Sequence, residues 1–227
     1  MGKEYDFHEK FQIVMGAWRK TGDLRFTALG LNTLSLGAIE TGKYNEAHTA
    51  LEESIAINSS IGDRWGLETA YRVMGLSAQA QGEHTHALEY FDKSLQIFIE
   101  LGARWDVARL LLEMGGSTFA LGNVSEANDL WCESLQLSIE THGIITTVGA
   151  IVGIATVHIA RANYQYALQL LFFSVNHPAV IQETKTRAVK LIAELKEKLT
   201  PTEIAEAQNS AARNTVESVV KDILSRL

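Results

Sequence analysis

Proline is almost missing from this sequence: Pro178 and Pro201 are the only two in 227 residues. Such a chain can be helical nearly throughout, because a proline inside a helix costs about 3 kcal/mol. Cysteine is rarer still. Cys132 alone cannot close an internal disulfide, and one cysteine cannot build a Cys–His zinc cluster. With no signal peptide at the start, it points to a reducing, cytoplasmic setting. Beside Trp131 on a helix, Cys132 reads as a small packing residue. Basic excess is missing too. The net charge is −7 and the pI about 5.5, which argues against the basic face that a nucleic-acid reader needs.

Chemical motifs are absent as well. There is no G-x-x-x-x-G-K-[ST] loop and no dinucleotide fingerprint in a strand–turn–helix setting. There is no H-E-x-x-H. His84 and His86 stand two apart on a helix start, so their side chains diverge by about 200°. Glu40, Glu46, Glu52 and Glu53 fall on helix surfaces by period, with nothing to pair them in a protected pocket. The sequence therefore predicts no enzyme, no metal and no cofactor.

What is present is a repeat. Gly42-Lys43-Tyr44-Asn45-Glu46-Ala47 returns 40 residues on as Gly82-Glu83-His84-Thr85-His86-Ala87. It returns again as Gly122-Asn123-Val124-Ser125-Glu126-Ala127, and last as Ala162-Asn163-Tyr164-Gln165-Tyr166-Ala167. A fixed period over four copies is the signature of a stacked array. Each unit reads as two helices, over about 24–60, 64–100, 104–140 and 144–177. Gly42, Gly82 and Gly122 lie just past the first helix, and Gly22, Gly62 and Gly102 lie between units, where a left-handed residue ends a helix cheaply.

Small residues recur where helices must approach: Ser35, Gly75, Gly115 and Ala155; then Ala47, Ala87, Ala127 and Ala167; then Ser54, Ser94, Ser134 and Ser174. Large residues fill between them, among them Met74, Met114 and Ile154. Residues 4–20 read as one amphipathic helix, with Phe7, Phe11, Val14, Met15 and Trp18 on a stripe. That helix aligns with the second helix of later units, so the array opens on half a unit. We expect the chain to be a piece of a longer protein, with Met1-Gly2-Lys3 partly foreign to it.

Gly143–Ala160 contains no Asp, Glu, Lys or Arg. It could match a membrane span in length. Its Thr146, Thr147, Gly149, Gly153, Thr156 and His158, and its place in the register, predict instead a helix buried on all sides. The expected cover is the C-terminal region, with a partner surface as the alternative. His158 reads as a hydrogen-bonded core residue. Residues 178–227 leave the register and predict capping helices. One spans 183–199. A second starts at Thr200-Pro201-Thr202-Glu203, and a third restarts at Asn214-Thr215-Val216-Glu217.

Met74-Gly75, Gly82, Ala87 and Phe91, and equally Met114-Gly115, Gly122, Ala127 and Trp131, resemble the tetratricopeptide repeat (TPR). The likeness covers about residues 4–177. It departs in its longer unit and in lacking the proline that commonly ends the second helix. The resemblance implies an all-α fold, an α-α superhelix of antiparallel helix pairs, whose first helices line a concave groove for a protein or peptide. In this sequence the groove positions would include Asn32, Thr33, Leu36, Thr69, Arg72, Leu76, Gln79, Arg109, Glu113 and Phe119. Trp65 and Trp105 hold equal positions at the start of successive first helices. They suit packing between units or an aromatic clamp for a ligand.

A second likeness lies in the tail. Leu199 to Leu227, with Leu199-Thr200-Pro201-Thr202-Glu203, Ala212-Arg213 and Val219-Val220-Lys221-Asp222-Ile223-Leu224, resembles the C-terminal ends of bacterial signal-transduction ATPases and large transcriptional activators. That resemblance implies a sensing or interaction module with a nucleotide-binding domain upstream in the same chain. A sugar-like small-molecule effector is its alternative ligand. The uncharged fourth unit also offers a surface for a homodimer.

Overall fold

The computed structural model describes residues 7–226. The side chains of residues 7–12, and with them the predicted stripe positions Phe7 and Phe11, lie outside the described set. Every regular element among the described residues is an α-helix. Two compact units divide the chain, Met1–Gly102 and Ala103–Leu227.

In the first unit, α1 (Phe7–Thr21) is followed by two antiparallel pairs. These are α2 (Leu24–Glu40) with α3 (Tyr44–Ile61), and α4 (Arg64–Ala80) with α5 (His84–Leu101). Close approach is made by small residues, as the register requires. A Cβ on Gly75 of α4 would stand 2.4 Å from the Phe91 ring, and one on Gly30 of α2 would stand 1.9 Å from the Met15 sulfur of α1. Leu51, Ala70, Val73 and Met74 fill the space between the pairs. The buried serines also join helices: Ser54 Oγ of α3 donates to the Ala28 carbonyl of α2 at 3.2 Å.

The second unit holds two further pairs, α6 (Arg104–Ala120) with α7 (Val124–Glu140) and α8 (Ile144–Ala160) with α9 (Tyr164–Asn176). Three more helices follow: α10 (Gln182–Lys196), α11 (Pro201–Arg213) and α12 (Val216–Leu224). The pair contact repeats, with Ser134 Oγ of α7 donating to the Ala108 carbonyl of α6 at 2.6 Å. Trp131 is fully buried. Its ring is gripped between Gly115 of α6 and Gly153 of α8, where an added Cβ would meet it at 2.5 Å on either side. Its Nε1 donates to the Leu112 carbonyl at 3.1 Å.

The charge-free α8 is buried from Thr146 to Val157. Ala188, Ile192 and Leu195 of α10, Ala207 and Ala211 of α11, and Val219, Val220 and Ile223 of α12 share its core. The C-terminal helices thus cover the fourth pair, as its composition predicted. No helix among the described residues is long and apolar enough to cross a membrane. The α10 helix ends at Lys196, short of the predicted 199, and a turn over 197–199 leads to Thr200, which precedes a proline and holds extended backbone (ψ 156°). Thr200 and Glu203 then form the expected capping box. Thr215 and Ser218 form a second one.

The turns follow the glycines until the fourth pair. Gly22, Gly42, Gly62, Gly82, Gly102 and Gly122 all have positive φ, between 66° and 85°. At the next two positions of the same kind stand His142 (φ 56°) and Ala162 (φ 60°). The backbone keeps its left-handed turn there without a glycine, at a steric cost of about 1 kcal/mol or more per residue.

Candidate functional site

In the first unit, a helical stripe on α2 presents Arg25, Leu29, Asn32 and Leu36. The equivalent stripe on α4 presents Trp65, Thr69, Arg72, Leu76 and Gln79. The spacing of four, three and four residues keeps each set on one face. The two stripes meet in a cleft of about 260 Å³, walled by Arg25, Leu29, Asn32, Asn58, Asp63, Trp65, Gly66 and Thr69. Leu29 is 54% exposed, Leu36 39% and Trp65 49%. Trp65 leans edge-on against Phe98, with centroids 6.2 Å apart.

The register places Asn32 on an open groove, but the residue is buried, with 3% of its surface exposed. Its Nδ2 donates to the Gly66 carbonyl at 3.4 Å. Its Oδ1 is buried and accepts no hydrogen bond. A buried acceptor without a partner is unfavourable and uncommon in folded proteins. Asp63 caps α4 through the Gly66 N–H at 3.0 Å and pairs with Arg25 Nε at 2.9 Å. Thr33, one residue off the stripe, is half-buried and donates to the Leu29 carbonyl at 3.0 Å. Arg72 and Gln79 are half-buried further along α4. The structure thus brings Asn32 and Trp65 to one cleft. Asp63, Asn58 and Arg25 join them, although the sequence reading named none of the three. Their signal was weak: Asp63 reads as an ordinary helix cap, and the other two have no counterparts in later units.

In the second unit the same register positions have a different fate. Arg109 stacks its guanidinium over Trp105 at 5.2 Å and pairs with Asp106 at 3.2 Å. Trp105 also lies against Gly143, where an added Cβ would sit 3.1 Å from the indole nitrogen. Phe119 packs on Trp131, centroids 5.8 Å apart. Leu112 presses on Gly149 of α8. The α8 residues in line with Asn32 and Leu36 are Val152 and Thr156, 1% and 8% exposed. Arg187 of α10 reaches over this face. Its Nη2 donates to Thr156 Oγ1 at 3.1 Å, and its guanidinium stands over the Trp131 ring at 5.7 Å. Burial first lowers its pKa, against the opposing pull of Glu113 and then Glu183. Glu113 therefore lies in the field of an arginine from its own chain. Arg187 lies outside the 40-residue register, so no alignment of units could have found it.

A polar corner near the end of the second unit joins His158, Tyr166, Asp222 and Arg226. His158 is edge-on to Tyr166 at 4.7 Å and 3.4 Å from the Asn163 amide nitrogen. Arg226 lies over the Tyr166 ring at 4.3 Å and pairs with Asp222 at 3.0 Å. Burial, then Asp222, pushes the Tyr166 phenol far up. Burial, then Arg161 and Arg226, lowers His158. Burial raises Cys132 to about 11, so it stays a thiol rather than a nucleophilic thiolate. No group of three metal-ligating side chains occurs among the described residues.

No family model and no curated protein matches the chain. Solved structures do. BtubC (BKLC) from P. vanneervenii superposes with a TM-score of 0.67 at 12% identity, covering 96% of this chain and 87% of that one. A putative kinesin light chain from Podosopora anserina, with nearly identical TPR-like repeats, gives 0.58 at 18% identity, covering 86% and 94%. A single-substitution variant of that protein gives 0.59 at 17%, covering 86% and 93%. These likenesses lie in fold, and the fold is that of a TPR-like array of antiparallel helix pairs.

Proposed function

We propose that the chain is a non-enzymatic interaction module that takes up a segment of a partner protein on the first-helix face of its first unit. TPR-like arrays generally present such faces to protein partners. One observation carries the reading: exposed Leu29, Leu36 and Trp65 flank a buried amide oxygen, Asn32 Oδ1, that none of the described residues satisfies. An extended peptide offers what that arrangement lacks, an apolar side chain and a backbone N–H. The second unit's face is filled by its own Arg187 and by leucine and glycine contacts, so we place binding on the first. The resemblance of Leu199–Leu227 to bacterial regulator tails, which none of the comparisons bears out, would add a sensing role within a larger cytoplasmic regulator. Thr69, Arg72 and Gln79 would then contact the bound segment, and an upstream nucleotide-binding domain would read its occupancy.

A small-molecule effector is the second reading, and the small size of the cleft, about 260 Å³, favours it. Thermal-shift screening of peptide pools beside a metabolite set separates the two. The expected result is stabilisation by a peptide that Leu29→Asp abolishes without lowering the melting temperature of the free protein. A shift produced by a sugar alone would retire the peptide reading.

A further inference from the structure

We infer that the α2–α4 cleft of the first unit is a subsite for an alkylammonium or guanidinium group, carried by a basic side chain of a partner or by a free amine. This rests on the reading of that face as a binding surface and names the chemistry it selects. The cleft wall is rich in acceptors. Asn32 Oδ1 is buried and accepts no hydrogen bond from any of the described residues. The Asp63 carboxylate, its side chain 12% exposed, accepts one N–H from Gly66 and one from Arg25, out of about four acceptor sites. The half-exposed indole of Trp65 stands on the same wall, and its face attracts cations. Charge-assisted hydrogen bonds from an N⁺–H group would satisfy the orphan oxygen and the carboxylate together. A neutral amide would leave the charge unanswered, and an anion would meet the Asp63 carboxylate with Arg25 already engaged to it.

Among the described residues, the one cation in the wall is Arg25, and it behaves as a plug. Its side chain is 73% exposed and reaches Asp63 through a single Nε contact at 2.9 Å. An incoming guanidinium that offers the same carboxylate two N–H groups would displace this single contact from a solvent-exposed side chain. Arg72, the other cation of this face, does not line the cleft.

Calorimetric titration of the whole chain tests the assignment with three probes: agmatine, an arginine-containing peptide, and the same peptide with citrulline in place of arginine. Agmatine and the arginine peptide should bind, with citrulline weaker by about tenfold, the effect of one charge-assisted contact. Asp63→Asn keeps a competent helix cap but removes the charge, and should weaken both basic probes by about tenfold. Arg25→Ala removes the plug and should tighten them by about threefold. Opposite signs from the two variants are not expected of a purely structural role.

Equal binding of the arginine and citrulline peptides, or no binding of agmatine at millimolar concentration, overturns the inference. In the first of these cases the peptide-binding reading survives. Binding of agmatine with neither peptide bound keeps the subsite and sinks the peptide reading. Thermal melts confirm that both variants fold. If Asp63→Asn does not fold, Arg25→Ala decides alone, and unchanged or weaker binding of agmatine overturns the assignment.

Discussion

The first helices of the two units carry the same register and use it in opposite ways. In the first unit the α2 stripe leaves Leu29 and Leu36 in solvent and Asn32 without a full set of partners. In the second unit the α8 stripe buries Val152 and Thr156 beneath the reach of Arg187. At the starts of the first helices of the repeats, and at the turns, local devices divide the same way, while the two capping boxes stand outside the repeats. Asp23 and Asp63 cap α2 and α4 through their side chains, while Ala103 and Gly143 stand at those positions before α6 and α8 and cap nothing. Glycines make every left-handed turn of the first unit, whereas His142 and Ala162 make two in the second. The unit with the open face is held by sequence-local signals. The unit with the covered face tolerates weaker ones because a large shared core offsets them.

Trp131 is the sharpest test of that division. Gripped by Gly115 and Gly153 and fully buried, it has no slack to collapse into when truncated. Trp131→Ala should cost about 4 kcal/mol, read as a lower midpoint in urea with unchanged slope. A loss below about 1 kcal/mol would mean that the second unit is not core-dependent. One step down, Val152→Ser should cost about 3 kcal/mol through lost burial and an added hydroxyl. By contrast, Leu29→Ser, at an exposed stripe position of the open face, should stay within about 0.5 kcal/mol. Equal costs at the two sites would erase the contrast between covered and open faces.

Much of this was legible in the residues. The glycine positions, the alanines and serines of close contact, and the capping box at Thr200 each depend on a local rule, and each stands where its rule places it. What a register cannot show is which face tertiary structure later covers. Phe119 and Glu113 align with groove positions, yet Phe119 lies against Trp131, and Glu113 faces an arginine from a helix outside the repeat. Asn32 likewise aligns with an open position. Its burial comes from the approach of α4 at Gly66, a residue with no side chain to announce the contact.

The turns give a smaller, signed effect. Ala162 holds φ 60° with no side chain beyond Cβ to explain it. Ala162→Gly relieves the left-handed strain but adds chain entropy to the unfolded state, for a net gain of about 0.5 to 1 kcal/mol. Gly62→Ala is the reverse experiment in the first unit. An added Cβ there meets nothing within 4 Å, so its cost of about 1 kcal/mol would be backbone strain alone. Melting curves of the two variants should move in opposite directions. A drop for Ala162→Gly would show that the second unit's turns are not strained.

The smallest expected effect is a pH dependence confined to the second unit. His158 is packed edge-on to Tyr166 beside Asn163, and burial, Arg161 and Arg226 oppose its protonation more than Asp222 favours it. Its native pKa therefore lies below the ordinary value of about 6.5. In the window between the two values the unfolded chain binds the proton more readily, so stability is intact above about pH 6.5 and declines as pH falls through it. His158→Gln keeps a polar side chain without the titration. Comparing melting temperatures at about pH 7.5 and 5.5, the variant should lose less than the parent. A parent and variant that fall in parallel would assign the acid sensitivity to other groups and mean that His158 takes up its proton as readily in the fold as in the unfolded chain.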